Sequence, residues 1–209
     1  MTHYPCVAFE GPIAAGKTTH AKLLAERFGT QPLLEDFPRN EFLEDFYGDK
    51  ARWALPMQLS FLAMRHSQLR TVVAPLTEPV VIDYSHLKDS IFARVLLEGR
   101  ELRLYDQLSV LFQANVVEPD LVVYLDATDE VLLERIRRRN RPYEAVIDSA
   151  YQQRLRNAYE EAFRAKPSLT VTRYDTSDLD LDSSTDVRRL QEKIFSACLC
   201  REFRTTSDS

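Results

Sequence analysis

Apolar positions in this chain fall into two periods. Short apolar runs occur at residues 5–10 (PCVAFE), 80–83 (VVID) and 121–126 (LVVYLD), and residues 169–175 read as a last strand. Continuous β-branched runs of this length suit strands buried on both faces. A weaker run covers 31–34. Between these runs the apolar residues recur at helical spacing over 17–28, about 51–73, 89–98, 101–117, 128–139, 148–164 and 185–199. Gly29 stands where a helix-ending glycine would, and Thr128 reads as a helix N-cap. Leu55, Leu59, Leu62 and Leu69 pattern the longest helix. Pro56 there implies either a helix that starts near Leu55 or a kink. Residues 35–50 read as loop, with a helical turn near 42–47. Strands alternating with helices predict an α/β fold with a parallel sheet of about five strands and helices on both faces. Ligands then belong at the carboxyl ends of the strands.

Composition narrows the picture. The chain has 209 residues, 44% hydrophobic and 28% charged, which suits one ordered domain. We expect that domain to span 1–200, with 201–209 as a flexible tail. The net charge of -5 argues against nucleic acid as a partner. No apolar run reaches the roughly 18 residues of a membrane span, and the N-terminus lacks a signal-peptide pattern. Three Cys (Cys6, Cys198 and Cys200) form no disulfide framework. Reduced thiols in a cytoplasmic setting are the expectation.

One motif carries chemistry by itself. Gly11-Pro12-Ile13-Ala14-Ala15-Gly16-Lys17-Thr18 matches G-x-x-x-x-G-K-[ST], after a strand and before a helix. Its backbone N–H groups and the helix N-terminus suit phosphates. Lys17 would reach the β- and γ-phosphates, and Thr18 would serve Mg²⁺. This predicts a nucleoside triphosphate and leaves the reaction open.

Other candidates depend on that context. Glu35 and Asp36 follow the weak second strand, while Asp83 and Asp126 end strong ones. Such carboxylates can orient an attacking hydroxyl or help hold Mg²⁺. Each also suits a helix cap or loop, the better reading for Asp126. Residues 135–141 (RIRRRNR) hold five Arg. Arg135, Arg138 and Arg139 share a helix face that could close over the γ-phosphate, while Arg137 points to solvent. On the longest helix, Gln58 and Arg65 interrupt the apolar pattern two turns apart. A Gln amide offers a base both a donor and an acceptor. Trp53, Met57, Phe61 and Met64 would supply apolar surface or core.

Together these segments resemble the deoxynucleoside kinases of the thymidine kinase 2-like group, over residues 7–169. FEGPIAAGKTT, which includes Thr19, is similar to the family phosphate loop. LLEDF puts Glu35 at the place of the catalytic base. In NEFLEDFYGDKARWALPMQLSFLAMR, Tyr47 falls on a sugar-binding tyrosine, Gln58 on the base-binding glutamine and Arg65 on the adjacent arginine. RIRRRNRPYE resembles the arginine-rich lid. That implies phosphate contacts for Arg135, Arg139 and Arg141, and a sugar-side role for Glu144.

Two positions depart from the pattern. Asp83-Tyr84-Ser85 lacks the usual Arg, and Asn140 replaces the usual lid glycine, which suggests a stiffer lid. Asp83-Tyr84, Lys88 and Ile91-Phe92-Ala93 resemble bacterial deoxyguanosine kinases, with Lys88 suited to the guanine O6 acceptor. The resemblance implies ATP- and Mg²⁺-dependent 5′-phosphorylation of a deoxynucleoside in nucleotide salvage, deoxyguanosine ahead of deoxyadenosine. Lys17, Glu35, Arg135 and Arg139 would be catalytic, and Thr18 and Asp83 would support the metal. A homodimer through 51–73 and 89–117 is also implied, and Ile91, Val95 and Leu96 are compatible with it. The alternatives are a thymidylate-type monophosphate kinase and a non-catalytic nucleotide-binding subunit of the same fold.

Overall fold

A computed structural model describes residues 4–72, 76–112, 116–181 and 183–202. The expected tail therefore lies almost wholly outside the described residues, as do residues 73 and 113–115 of two expected helices, while 116–117, expected to end the second, are not helical. Strand β1 (Cys6–Glu10) is buried at every position and occupies the middle of the sheet. It pairs in parallel with β2 (Val80–Ile82) on one side and β3 (Leu121–Asp126) on the other. Strand β4 (Val171–Asp175) extends the sheet beyond β3, giving the order β2-β1-β3-β4.

The sheet thus has four strands, where about five were expected. The missing strand is a single bridge. Leu33 N–H donates to Val81 O (2.8 Å), and Asp83 N–H donates to Leu33 O (3.2 Å). Glu35, the next residue facing β2, gives its N–H to the Asp83 side chain (2.7 Å) rather than to a strand carbonyl, and the chain turns into a 3-10 turn at Phe37–Arg39.

Alternation along β3 explains why its sequence is apolar throughout. Leu121, Val123 and Leu125 pack with β1 against α1 (Lys17–Phe28) and α8 (Ser184–Glu202). Val122 and Tyr124 face the opposite layer, formed by α4 (Leu87–Leu96) and α7 (Ser149–Ala165). Both faces are covered, so no polar position survives within the strand.

A third apolar cluster lies beyond the sheet. It joins α2 (Leu43–Gly48), α3 (Lys50–Leu69) and α5 (Gly99–Phe112) through Phe46, Met57, Phe61, Leu62 and Tyr105. Helix α3 begins close to residue 51, where the apolar pattern starts, so Pro56 lies inside it rather than in its first turn. Asp49 caps it by accepting from Arg52 N–H (3.2 Å), and the helix continues through Pro56 to Leu69. Packing of α3 on α2 and α5 holds it despite the missing N–H. Helix α6 (Asp129–Arg139) is capped by Thr128 as expected. It ends at Asn140 with φ 50 and ψ 46. Asn tolerates that left-handed conformation, so Asn140 keeps the geometry a glycine would give.

Candidate active site

All the parallel strands end at one rim, where a cleft of about 1180 Å³ opens. The phosphate loop forms its floor. Gly11 has φ 142, and a Cβ there would lie 2.0 Å from Leu125 O, so only glycine lets the loop pass the end of β3. Ala14 adopts φ 68, a costly conformation for alanine, at the tip of the loop. Gln152 on α7 fixes that tip. Its Nε2 donates to Ile13 O (2.9 Å), and its Oε1 accepts from Ile13 N–H (3.2 Å). Lys17 Nζ donates to Gly11 O and Pro12 O, both at 2.8 Å. Desolvation in the loop, then the nearby Lys88 ammonium, push Lys17 down to about 7.

Beside the loop, Thr18 Oγ1 donates to Asp83 Oδ2 (2.6 Å). The other Asp83 oxygen accepts from the Glu35 N–H (2.7 Å). Thr18, Asp83 and Glu35 are therefore linked in series across the rim. Thr18 and Asp83 offer hard oxygen ligands where donor phosphates would lie, a set that suits Mg²⁺. Among the described residues no group of three His, Cys, Asp or Glu could form an all-protein metal cage. Mg²⁺ does not need one when phosphates complete its shell.

Glu35 is the most heavily engaged carboxylate. Arg65 reaches Oε1 through Nε at 2.7 Å and a second nitrogen at 2.5 Å. Lys88 Nζ lies 2.5 Å from Oε2. Burial works to raise the Glu35 carboxyl, but Arg65 and Lys88 overcome it and hold the group down to about 2. Arg65 is only 2% exposed and also pairs with Asp89. The guanidinium stacks over Phe61.

Past Glu35 the cleft becomes apolar, with Leu43, Phe46, Met57, Phe61, Phe92 and Leu96 on its walls. Gln58, 1% exposed, lies among them with its Oε1 buried and unpartnered. A buried, unsatisfied amide oxygen is costly unless a ligand completes it. Tyr47 closes the wall, with its ring 5.4 Å from Tyr143 of the lid. Burial raises the Tyr47 hydroxyl, which stays protonated as a donor.

The lid comprises the end of α6 and a 3-10 turn at Pro142–Val146. Glu144, 6% exposed, accepts from Arg139 Nε and Nη2 (2.9 and 2.6 Å) and from Arg141 Nη1 (3.3 Å). Arg141 also lies 4.2 Å over the Phe37 ring.

Arg135 and Lys88 make contacts that the sequence did not suggest, and Asp126 keeps its structural reading. Arg135 lines the cleft, but its donors go to Thr176 Oγ1 (2.9 Å), Thr176 O (2.6 Å) and Leu179 O (2.8 Å). It braces the loop that follows β4 while lining the cleft. Lys88 lines the same cleft as Gln58, and its ammonium is paired with Glu35. Asp126 is structural, gripped by Arg156 at 3.0 and 3.1 Å and bonded to Ala127 N–H. Arg137 pairs with Glu134 on the surface, as expected. Sequence reasoning missed Gln152 and the loop 177–181, which forms the cleft wall beyond the phosphate loop. Only the place of that loop after the last strand points to the rim.

Comparison with known proteins follows this geometry. A family model described as deoxynucleoside kinase matches residues 7–199. A deoxyguanosine kinase of Bacillus subtilis (strain 168) is 34% identical over 187 residues, covering 86% of this chain and 90% of that protein. A deoxyadenosine/deoxycytidine kinase of the same organism is 30% identical over 201 residues, covering 91% of each. Among solved structures, a deoxyadenosine kinase from M. mycoides with dCMP and dCDP bound aligns with a TM-score of 0.75. It is 24% identical and covers 92% of this chain and 99% of that one.

Proposed function

The chain belongs to the deoxynucleoside kinase family, and from that premise we propose how its own residues carry the reaction. The reaction is phosphorylation of a deoxynucleoside with ATP as donor. The observation that carries the residue assignment is Glu35, joined through its N–H to Asp83 and Thr18 and through its carboxylate to Arg65 and Lys88. It stands where the phosphate loop meets the apolar pocket.

In this reading the phosphate loop N–H groups and Lys17 hold the donor's β- and γ-phosphates. Gly11, Pro12, Ile13, Ala14, Ala15, Gly16 and Thr19 shape that cradle. Thr18 and Asp83 hold Mg²⁺, which when bound neutralises charge on the phosphates. The base lies against Phe61 and Phe92 and completes the Gln58 amide. Tyr47 and Glu144 meet the sugar hydroxyl. Glu35 accepts a hydrogen bond from the 5′-hydroxyl and aims its oxygen at the γ-phosphorus. The new O–P bond forms as the bond to ADP breaks, and the hydroxyl proton passes to Glu35. Holding the hydroxyl in line is part of its contribution, as suits a loose transition state. Arg139 and Arg141 neutralise the transferring group, and Arg135 supports the lid from below.

We assign a purine preference, deoxyguanosine ahead of deoxyadenosine. The named relatives support it, and the position of Lys88 does not. Arg65, already committed to two carboxylates, argues against an acceptor that carries its own phosphate, as in a monophosphate kinase. We further place the enzyme in cytoplasmic nucleotide salvage, as one catalytic domain over 1–200 and as a homodimer. Leu104, Val110 and Leu111, exposed on α5, support the homodimer. The test is Glu35→Gln. We expect kcat to fall by at least ~10²-fold, the scale of a positioned general base, with deoxynucleoside binding by calorimetry retained. Near-wild-type turnover overturns the assignment.

A further inference from the structure

Lys88 sits in the first turn of α4, just past the carboxyl end of β2. Its side chain is buried, and among the described residues its ion pair is with Glu35. Lys88 lines the same cleft as Glu35 and the phosphate-loop residues Gly16, Lys17 and Thr18, so it stands on the side of Glu35 that the loop shares. The strand end itself brings no cation to this corner. Tyr84 is fully buried and turned away, with its hydroxyl donating to Gln68 Oε1 (2.7 Å).

Arg65 and Lys88 share one carboxylate but differ in freedom. Arg65 is a planar fork held between Glu35 and Asp89. Lys88 is a point charge on a flexible four-carbon stem. An acceptor hydroxyl needs a Glu35 oxygen. Oε1 already receives two Arg65 donors, so Oε2 is the oxygen that can be given up. At that moment a phosphoryl group with spread negative charge enters the same corner.

We propose that Lys88 is an exchangeable cation. It covers Glu35 Oε2 in the free enzyme, then turns to an oxygen of the transferring phosphoryl group as the 5′-hydroxyl takes its place. Lys88 exchanges no proton. The hydroxyl proton goes to Glu35, the 5′-oxygen bonds phosphorus, and ADP leaves with the electron pair of the broken bond. This rests on the reading of Glu35 above and makes Lys88 a residue of the chemical step rather than of base recognition.

Lys88→Met and Lys88→Arg test it, assayed with deoxyguanosine and with deoxyadenosine. Lys88→Met should lower kcat by at least ~10²-fold for both bases, the scale of one lost transition-state donor. KM for each nucleoside should stay within ~3-fold, the mark of an interaction made only in the transition state. Lys88→Arg should recover most of kcat. In calorimetry, Lys88→Met should bind deoxyguanosine normally but lose affinity for a bisubstrate analogue in which polyphosphate joins the 5′-oxygen to adenosine. Retained kcat overturns the proposal, as does a defect confined to KM or to one base. If Lys88→Met does not fold, Lys88→Gln carries the same test. Wild-type protein that phosphorylates no deoxynucleoside rejects the functional reading itself, a separate failure.

Discussion

Replacing Arg65 by Met tests the electrostatic frame of the pocket. The guanidinium lies 2.5 Å from Glu35, pairs with Asp89, and is 2% exposed. Unit charges about 4 Å apart attract by about 4 kcal/mol at an effective dielectric near 20, so two pairs contribute about 8 kcal/mol gross. Desolvation of the buried groups offsets much of this. Truncating one partner of a buried pair costs about 3–5 kcal/mol. For a chain of this size that is a fall in Tm of roughly 6–20 °C, at about 2–4 °C per kcal/mol. The expected result in urea is a lower midpoint with an unchanged slope.

The deficit should depend on pH. Burial already raises the Asp89 carboxyl against the opposing pull of Arg65, and the variant loses that pull. An acid whose folded pKa exceeds its unfolded value binds more protons when folded. Its contribution to stability is therefore lost as pH rises from the ordinary aspartate range. The deficit of Arg65→Met should be larger at pH 8 than at pH 5. Adding Asp89→Leu removes the orphaned charge and should restore about half of the loss or more. An Arg65→Met variant within about 1 kcal/mol of wild type, where ordinary surface changes fall, would refute the frame.

Two further expectations follow from packing. Gly11→Ala combines a 2.0 Å clash with an unfavourable φ, whereas Gly29→Ala at φ 72 meets nothing within 4 Å. Thermal melts should show Gly11→Ala losing about 3 kcal/mol or more and Gly29→Ala about 1–2 kcal/mol, and equal losses would contradict the loop geometry. Burial, with Asp120 adding to it, pushes the Cys6 thiol up to about 12. Iodoacetamide at pH 8 should label it at least ~10²-fold more slowly in native than in unfolded protein, and fast native labelling would contradict its place in β1.

The sequence revealed those parts of the site that lie close together in the chain. The phosphate loop, the strand-end acids and the lid each span a few residues, so spacing alone exposes their chemistry. Strands β1 and β3 were legible because both their faces are buried, whereas β4 is a half-exposed edge strand read from a weaker pattern. What escaped depends on partners far apart. Gln152 meets Ile13 across 139 positions, and nothing in the pattern of α7 marks it. The bond from Arg135 to Leu179 likewise becomes visible only once β4 lies beside β3. The fifth strand was read from apolar character alone, and after Leu33 the next N–H facing β2, that of Glu35, goes to the Asp83 side chain. Lys88 was assigned a base from the resemblance, and its ion pair with Glu35 is what no sequence pattern shows.

Phosphoryl transfer from ATP with Mg²⁺ to each of the four deoxynucleosides and to thymidylate, with Lys17→Ala as the blank, bears most directly on the whole account. Turnover of deoxyguanosine, with deoxyadenosine second and no turnover in the blank, is the predicted result. Activity on thymidylate alone, or ATP binding without turnover of any deoxynucleoside, would contradict it.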